Sequence, residues 1–204
     1  MLDNAIDENA ADMVARLKNK DTRLICAMAL CLSGKERYIQ PVIGIMDKII
    51  WEEVEDLSYS LRGFGKSVVP FLVPVAHSSK KASAACAMRA LGLVGGKDAI
   101  EALAERLVAL PSKSEPTEAL VTVGTPAIPS LLSMTSHGKA DVRAMAVFAL
   151  GKIGDESVLE HLETIAECDR SEKVQNVANL ASSWLRGEDS CRVDLRNSFG
   201  ELPS

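Results

Sequence analysis

Apolar positions along this chain recur at three- and four-residue spacing, the mark of amphipathic helices, and the helical pattern is interrupted by regularly placed glycines. The most regular stretch places Val142, Met145, Ala146, Ala149, Leu150 and Ile153 at i, i+3, i+4, i+7, i+8 and i+11, while Ala144, Val147 and Phe148 form a second apolar side. A helix apolar on two sides has to be covered on two sides. It ends at Gly154, and equivalent glycines stand at Gly34, Gly65, Gly95 and Gly124, giving successive intervals of 31, 30, 29 and 30 residues. Four residues before each glycine is a leucine (Leu30, Leu61, Leu91, Leu120, Leu150), preceded by a small residue (Ala29, Ser60, Ala90, Ala119, Ala149). A fixed period of this length marks a stacked array in which each unit is one helical hairpin.

The predicted fold class is therefore all-α: a solenoid of five helical hairpins with capping helices at both ends, spanning 1–187 as a single body. A capping helix over 5–18 carries Ile6, Ala10, Met13, Val14 and Leu17. The repeats cover 21–49, 50–78, 80–109, 113–137 and 139–168, followed by a cap over 171–186 and a flexible tail, 188–204. Asp21 is placed to cap the first helix of repeat one, whose apolar positions are Leu24, Ile25, Met28, Ala29 and Leu32. Its second helix carries Ile39, Val42, Ile43, Met46 and Ile49. Repeat two uses Trp51, Val54, Leu57 and Leu61, then Val68, Val69, Leu72 and Val75. Repeat four has the weakest first helix, shortened by Pro111 and Pro116. Pro70 and Pro129 fall early in second helices, where the first-turn amides have no intrahelical acceptor and proline is tolerated.

Asp141-Val142-Arg143 through Leu162, Asp21-Thr22-Arg23 at the same offset from its glycine, and the Gly-x-Pro-Ala-Ile-Pro phrase at Gly124 resemble the short HEAT-like repeats of the phycobiliprotein (bilin) lyase family. The resemblance covers residues 21–186. It implies a HEAT-like fold and, through the family, a lyase or other tetrapyrrole-handling role as an alternative function. The repeat occurs in proteins of unrelated activity, so the fold does not carry the function with it.

Composition limits the chemistry. Apolar residues form 47% of the chain but aromatics only 4%, which predicts an aliphatic, alanine-rich core. A net charge of −5 argues against a non-specific nucleic-acid binder. No apolar run reaches the length of a membrane span and the first residues lack a signal-peptide pattern, so a cytoplasmic protein is expected. Of the five cysteines, Cys26, Cys31 and Cys86 lie in alanine-rich helices and read as small buried apolar residues; Cys168 and Cys191 lie outside these helices.

The three histidines do not converge on a metal. His77 and His137 follow second helices two repeats apart, and His161 sits beside Glu160. Di-iron hydroxylases built of HEAT-like repeats carry His-Glu dipeptides, whereas here His77 precedes Ser78, His137 precedes Gly138 and His161 precedes Leu162. DNA glycosylases of HEAT-like repeats share only the architecture. No nucleophile elbow, phosphate loop or paired CxxC is present, and Gly92-Leu93-Val94-Gly95-Gly96 reads as the inter-helix turn of repeat three. The expectation is no catalytic, cofactor-binding or metal site.

What remains is surface. Alignment of the second helices puts Gln40, Pro70, Glu101, Pro129 and Glu160 in one exposed column, with Pro41, Phe71, Ala102, Ser130 and His161 beside it. Second helices of solenoids commonly line the concave face. The partner-binding candidates are Gln40, Phe71 as apolar anchor, Glu101, Glu105, Glu160, His161 and Glu163. The function expected is a non-enzymatic scaffold, monomeric or weakly dimeric, that binds another protein or peptide but neither nucleic acid nor membrane.

Overall fold

The computed structural model describes residues 2–112 and 114–188, the side chains of residues 2–8 excepted. The predicted tail, including Cys191, lies outside the described residues apart from Glu188. Among the described residues all regular structure is helical, as the all-α solenoid reading requires. The chain forms two compact units, Met1–Ala102 and Leu103–Ser204.

The first unit contains α1 (Leu2–Arg16), α2 (Arg23–Leu32), α3 (Ile39–Ile43), α4 (Val54–Leu61), α5 (Val69–Ala76), α6 (Lys81–Val94) and the start of α7 (Lys97–Ala109). Within it α2 packs on α1, α3 and α4, α4 packs on α6, and α5 packs on both α3 and α6. The second unit holds the rest of α7 with α8 (Ser114–Val123), α9 (Ile128–Met134), α10 (Ala140–Ile153), α11 (Leu159–Cys168) and α12 (Glu172–Leu185). There α10 packs on α8, α9 and α12, and α11 packs on α12. Each unit is thus built of stacked helical hairpins.

The repeated positions do what their chemistry suggests. Leu30, Leu61, Leu91, Leu120 and Leu150 are all completely buried, so each hairpin contributes the same leucine to its core. All five marker glycines have positive φ, between 59° and 78°. Gly95 combines φ 66° with ψ −162°, a region open essentially to glycine alone, whereas Gly154 sits in the left-handed helical region at φ 77°, ψ 21°. Second helices mostly begin with a 3-10 turn one or two residues after the glycine, at Glu36–Tyr38, Thr125–Ala127 and Glu156–Val158, and then widen into α-helices. Pro70 and Pro129 occupy the first turns of α5 and α9, as expected.

Three local expectations are corrected. Asp21 does not cap α2: the position before the helix is Thr22, and no side chain bonds the first-turn amides. Ile25 and Leu32 on α2, read as core, are exposed, and so is Trp51, which precedes α4 in a 3-10 turn. The second helix of repeat one is interrupted, with α3 ending at Ile43 and Met46–Lys48 forming a separate 3-10 turn; Ile39, Val42, Met46 and Ile49 are nonetheless buried.

Candidate functional site

The second helices place the predicted surface residues individually. In the first unit Gln40 on α3, Pro70 on α5 and Glu101 on α7 are exposed; in the second, Glu105 on α7, Pro129 on α9, and Glu160 and His161 on α11 are exposed. Positions of the neighbouring column are more covered: Ala102 is buried, and Pro41, Phe71 and Ser130 are half-buried. Phe71 therefore shows only part of its ring to solvent. Gln40 and Phe71 come from packed helices, α3 and α5, and Glu160, His161 and Glu163 share α11.

Their electrostatic states differ. Arg186, just beyond α12, bonds Glu163, so this carboxylate is already neutralised within the chain. His161 Nε2 lies 2.9 Å from Thr135 Oγ1. The Thr135 hydroxyl donates its single hydrogen to the Leu132 carbonyl at 2.8 Å, so the imidazole Nε2–H donates to Thr135. This bond ties α11 to the end of α9. By contrast, among the described residues the carboxylates of Glu101, Glu105 and Glu160 have neither an ion pair nor a side-chain hydrogen bond. His137 occupies the turn after α9, where its Nδ1 accepts the Lys139 amide at 3.1 Å.

Burial and pairing fix the remaining titratable groups in structural roles. Cys31 and Cys86 are completely buried and their thiols are pushed up to about 12, chiefly by burial, so neither supplies a thiolate at neutral pH. Cys168 is exposed at the end of α11. The strongest charge constellation went unread in the sequence. Arg143 on α10 donates Nε–H and Nη2–H to the two carboxylate oxygens of Asp169 at 2.8 and 2.7 Å, and its Nη1–H to the carbonyls of His137 and Gly138. Arg23, at the same offset before its marker glycine, bonds Glu53 at 2.9 Å, and Glu53 also accepts the Ile50 amide. Both arginines clamp the entry to the following repeat; the recurring Asp-x-Arg triplet was the available signal.

Among the described residues no group of three or more His, Cys, Asp or Glu side chains is arranged to hold a metal ion, and no helix is long and apolar enough to cross a membrane. Of the glycine-rich segment of repeat three, Gly92, Leu93 and Val94 end α6 and only Gly95 and Gly96 form the turn to α7, beside a cavity of about 240 Å³ lined by Lys66, Val69, Gly95, Gly96, Lys97, Asp98 and Ala99.

A family model described as HEAT repeats matches residues 113–183. The solved structure of human deoxyhypusine hydroxylase in complex with glycerol matches 86% of this chain and 73% of its own, with a TM-score of 0.47 and 20% identity. No curated protein matches the chain significantly in sequence. By its fold the chain is an all-α array of helical hairpins, and residues 113–183 of it match HEAT repeats.

Proposed function

We propose that this protein is a non-enzymatic interaction module of the cytoplasm that holds a partner protein or peptide along the exposed faces of its second helices. The observation that carries the reading is the set of exposed carboxylates Glu101, Glu105 and Glu160 on second helices, which have no ion pair among the described residues, whereas Glu163 is neutralised by Arg186. An unpaired surface carboxylate keeps its charge for an intermolecular cation and sets specificity and encounter rate. HEAT repeats commonly serve protein interaction, which is consistent with this use. The test is recovery of partners on tagged protein from the native lysate, compared between the wild type and a Glu101→Lys, Glu160→Lys, Phe71→Ala variant of unchanged helicity. Specific partners are expected to be lost from the variant; retention of every one of them would sink the proposal. A tetrapyrrole-handling role is the alternative implied by the sequence resemblance, and an unchanged absorption spectrum on mixing with a bilin or haem removes it.

A further inference from the structure

Large apolar side chains left in water are concentrated in one stretch of the first unit. Among the described residues Ile25 and Leu32 are each 71% exposed, Trp51 55%, Tyr59 50% and Ile50 46%. Ile25 and Leu32 lie seven apart on α2, two turns along one line, with Met28 and Ala29 half-exposed between them. α4 packs beside α2, and Tyr59 stands six residues before Gly65 as Met28 stands six before Gly34, so Tyr59 extends the same face. Gly63 takes the place on this second hairpin that Leu32 has on the first, two before the marker glycine. A Cβ at Gly63 would fall 2.1 Å from the Cys31 carbonyl oxygen, and the Leu32 amide lies 3.4 Å from the same point. The side-chain-free Gly63 backbone therefore runs against the end of α2 and leaves Leu32 unshielded.

The charges around this face select its occupant. Asp21 is flanked by the exposed Lys18 and Lys20, so the acidic part of the face is its α4 side, where Glu52, Glu55 and Asp56 are exposed and, among the described residues, have neither ion pair nor side-chain hydrogen bond, against Arg62 after α4 and Arg89 on the neighbouring α6. Two copies meeting through this face would oppose Glu52, Glu55 and Asp56 to like charges. An anionic lipid surface meets the same repulsion. A helix with apolar residues at i, i+3 or i+4 and i+7, flanked by lysine or arginine, satisfies both halves of the surface: its apolar stripe covers Ile25, Leu32 and Tyr59 while its cations reach the carboxylates. We propose that the α2–α4 face is a docking site for a basic amphipathic helix of another protein, separate from the second-helix faces.

The experiment measures fluorescence anisotropy of two labelled synthetic peptides of about 18 residues with one apolar pattern, one of leucine and lysine and the other of leucine and glutamate, added to the full chain. The leucine–lysine peptide is expected to bind and the leucine–glutamate peptide not to. Affinity for the former should fall roughly ten-fold or more both in Ile25→Ser/Leu32→Ser and in Glu52→Lys/Glu55→Lys/Asp56→Lys, since these remove the apolar and the charged halves separately. All five positions are exposed, so unchanged circular dichroism of the variants is expected and is checked first. Charge reversal at Glu101 and Glu160 should leave this peptide bound, which separates the two surfaces. The inference is overturned by failure of the leucine–lysine peptide to bind, by equal binding to wild type and the α2–α4 variants, or by loss of binding only in the Glu101/Glu160 variant. It is equally overturned if sedimentation shows a dimer that Ile25→Ser/Leu32→Ser dissociates, since the face then belongs to a second copy.

Discussion

Arg143 shows what a single residue contributes when four hydrogen bonds of one guanidinium are directed at one joint. It is buried, its guanidinium grips Asp169 in a bidentate pair, and its remaining donors hold two carbonyls of the turn after α9. Arg143→Ala leaves a buried carboxylate without its partner and should destabilise the protein by roughly 3 kcal/mol in urea unfolding. The hydrogen bonds from Arg143 hold Asp169 below the ordinary carboxylate range, against the opposing effect of burial. A lowered folded-state pKa means that the contribution is complete above the unfolded value, about 3.9, and disappears as pH falls from there through the folded value. Urea midpoints measured from neutral pH downward should show this acid loss in the wild type and a shallower one in Asp169→Asn. The Asp-x-Arg triplets were visible in the sequence as repeats, but their function was not. The partners Asp169 and Glu53 lie 26 and 30 residues further on and differ in chemical type, so no local spacing connects them. Two glycines on the same helical joint separate conformational from steric need. Nothing lies within 4 Å of a Cβ at Gly154, so Gly154→Val should be strongly destabilising through its positive φ alone, and Gly154→Asn should be milder. At Gly151 a Cβ would fall 2.5 Å from the Ala181 Cβ, so Gly151→Ala should cost about 1–3 kcal/mol by forcing α10 and α12 apart. Thermal melts of the three variants check the order, with Glu163→Ala as a near-neutral surface control.

Helices are where local pattern and packing context part company. α2 and α10 are both apolar on more than one side, and the sequence reads them alike. The structure does not: α10 is enclosed by α8, α9 and α12, and Val142 to Val147 are all buried, whereas α2 has α1, α3 and α4 and leaves Ile25 and Leu32 in water. Periodicity gives the width of an apolar face, but how much of it the neighbouring helices cover is a property of the stack. That is why the marker leucines and turn glycines were legible at every repeat, while Ile25 and Leu32 on α2 and Trp51 before α4 were read with the buried apolar positions. On the second helices Glu101 and Glu160 are each exposed, but Ala102 is buried, and the bonds made by His161 and Glu163 come from residues at the ends of other helices, which no periodicity announces. At this scale proline placement is also testable. Pro129 lies in the first turn of α9, where the missing amide forfeits no intrahelical bond, so Pro129→Ala should shift stability by no more than about 1 kcal/mol. A larger loss in a urea melt would mean that the ring, not the backbone, holds the turn.

At the scale of the whole chain the open question is whether the array unfolds as one body, as the continuous repeat pattern over 1–187 leads us to propose. The two compact units divide between Ala102 and Leu103, inside α7, so the division does not fall at a linker. Each unit carries its own reporter. The buried thiols Cys31 and Cys86 belong to the first unit, and their protonation at neutral pH keeps them unreactive until it opens. Trp184 belongs to the second, where its ring meets Phe148 edge-on at 5.7 Å, while the exposed Trp51 contributes little change on unfolding. In a repeat array stability is set by hairpins and the interfaces between successive hairpins, so weak coupling at one interface splits the transition. Urea titrations followed by thiol labelling and by tryptophan fluorescence should give coincident midpoints. Separated midpoints would instead show that residues 1–102 and 103–204 unfold independently, and that the repeat pattern runs through two folding units.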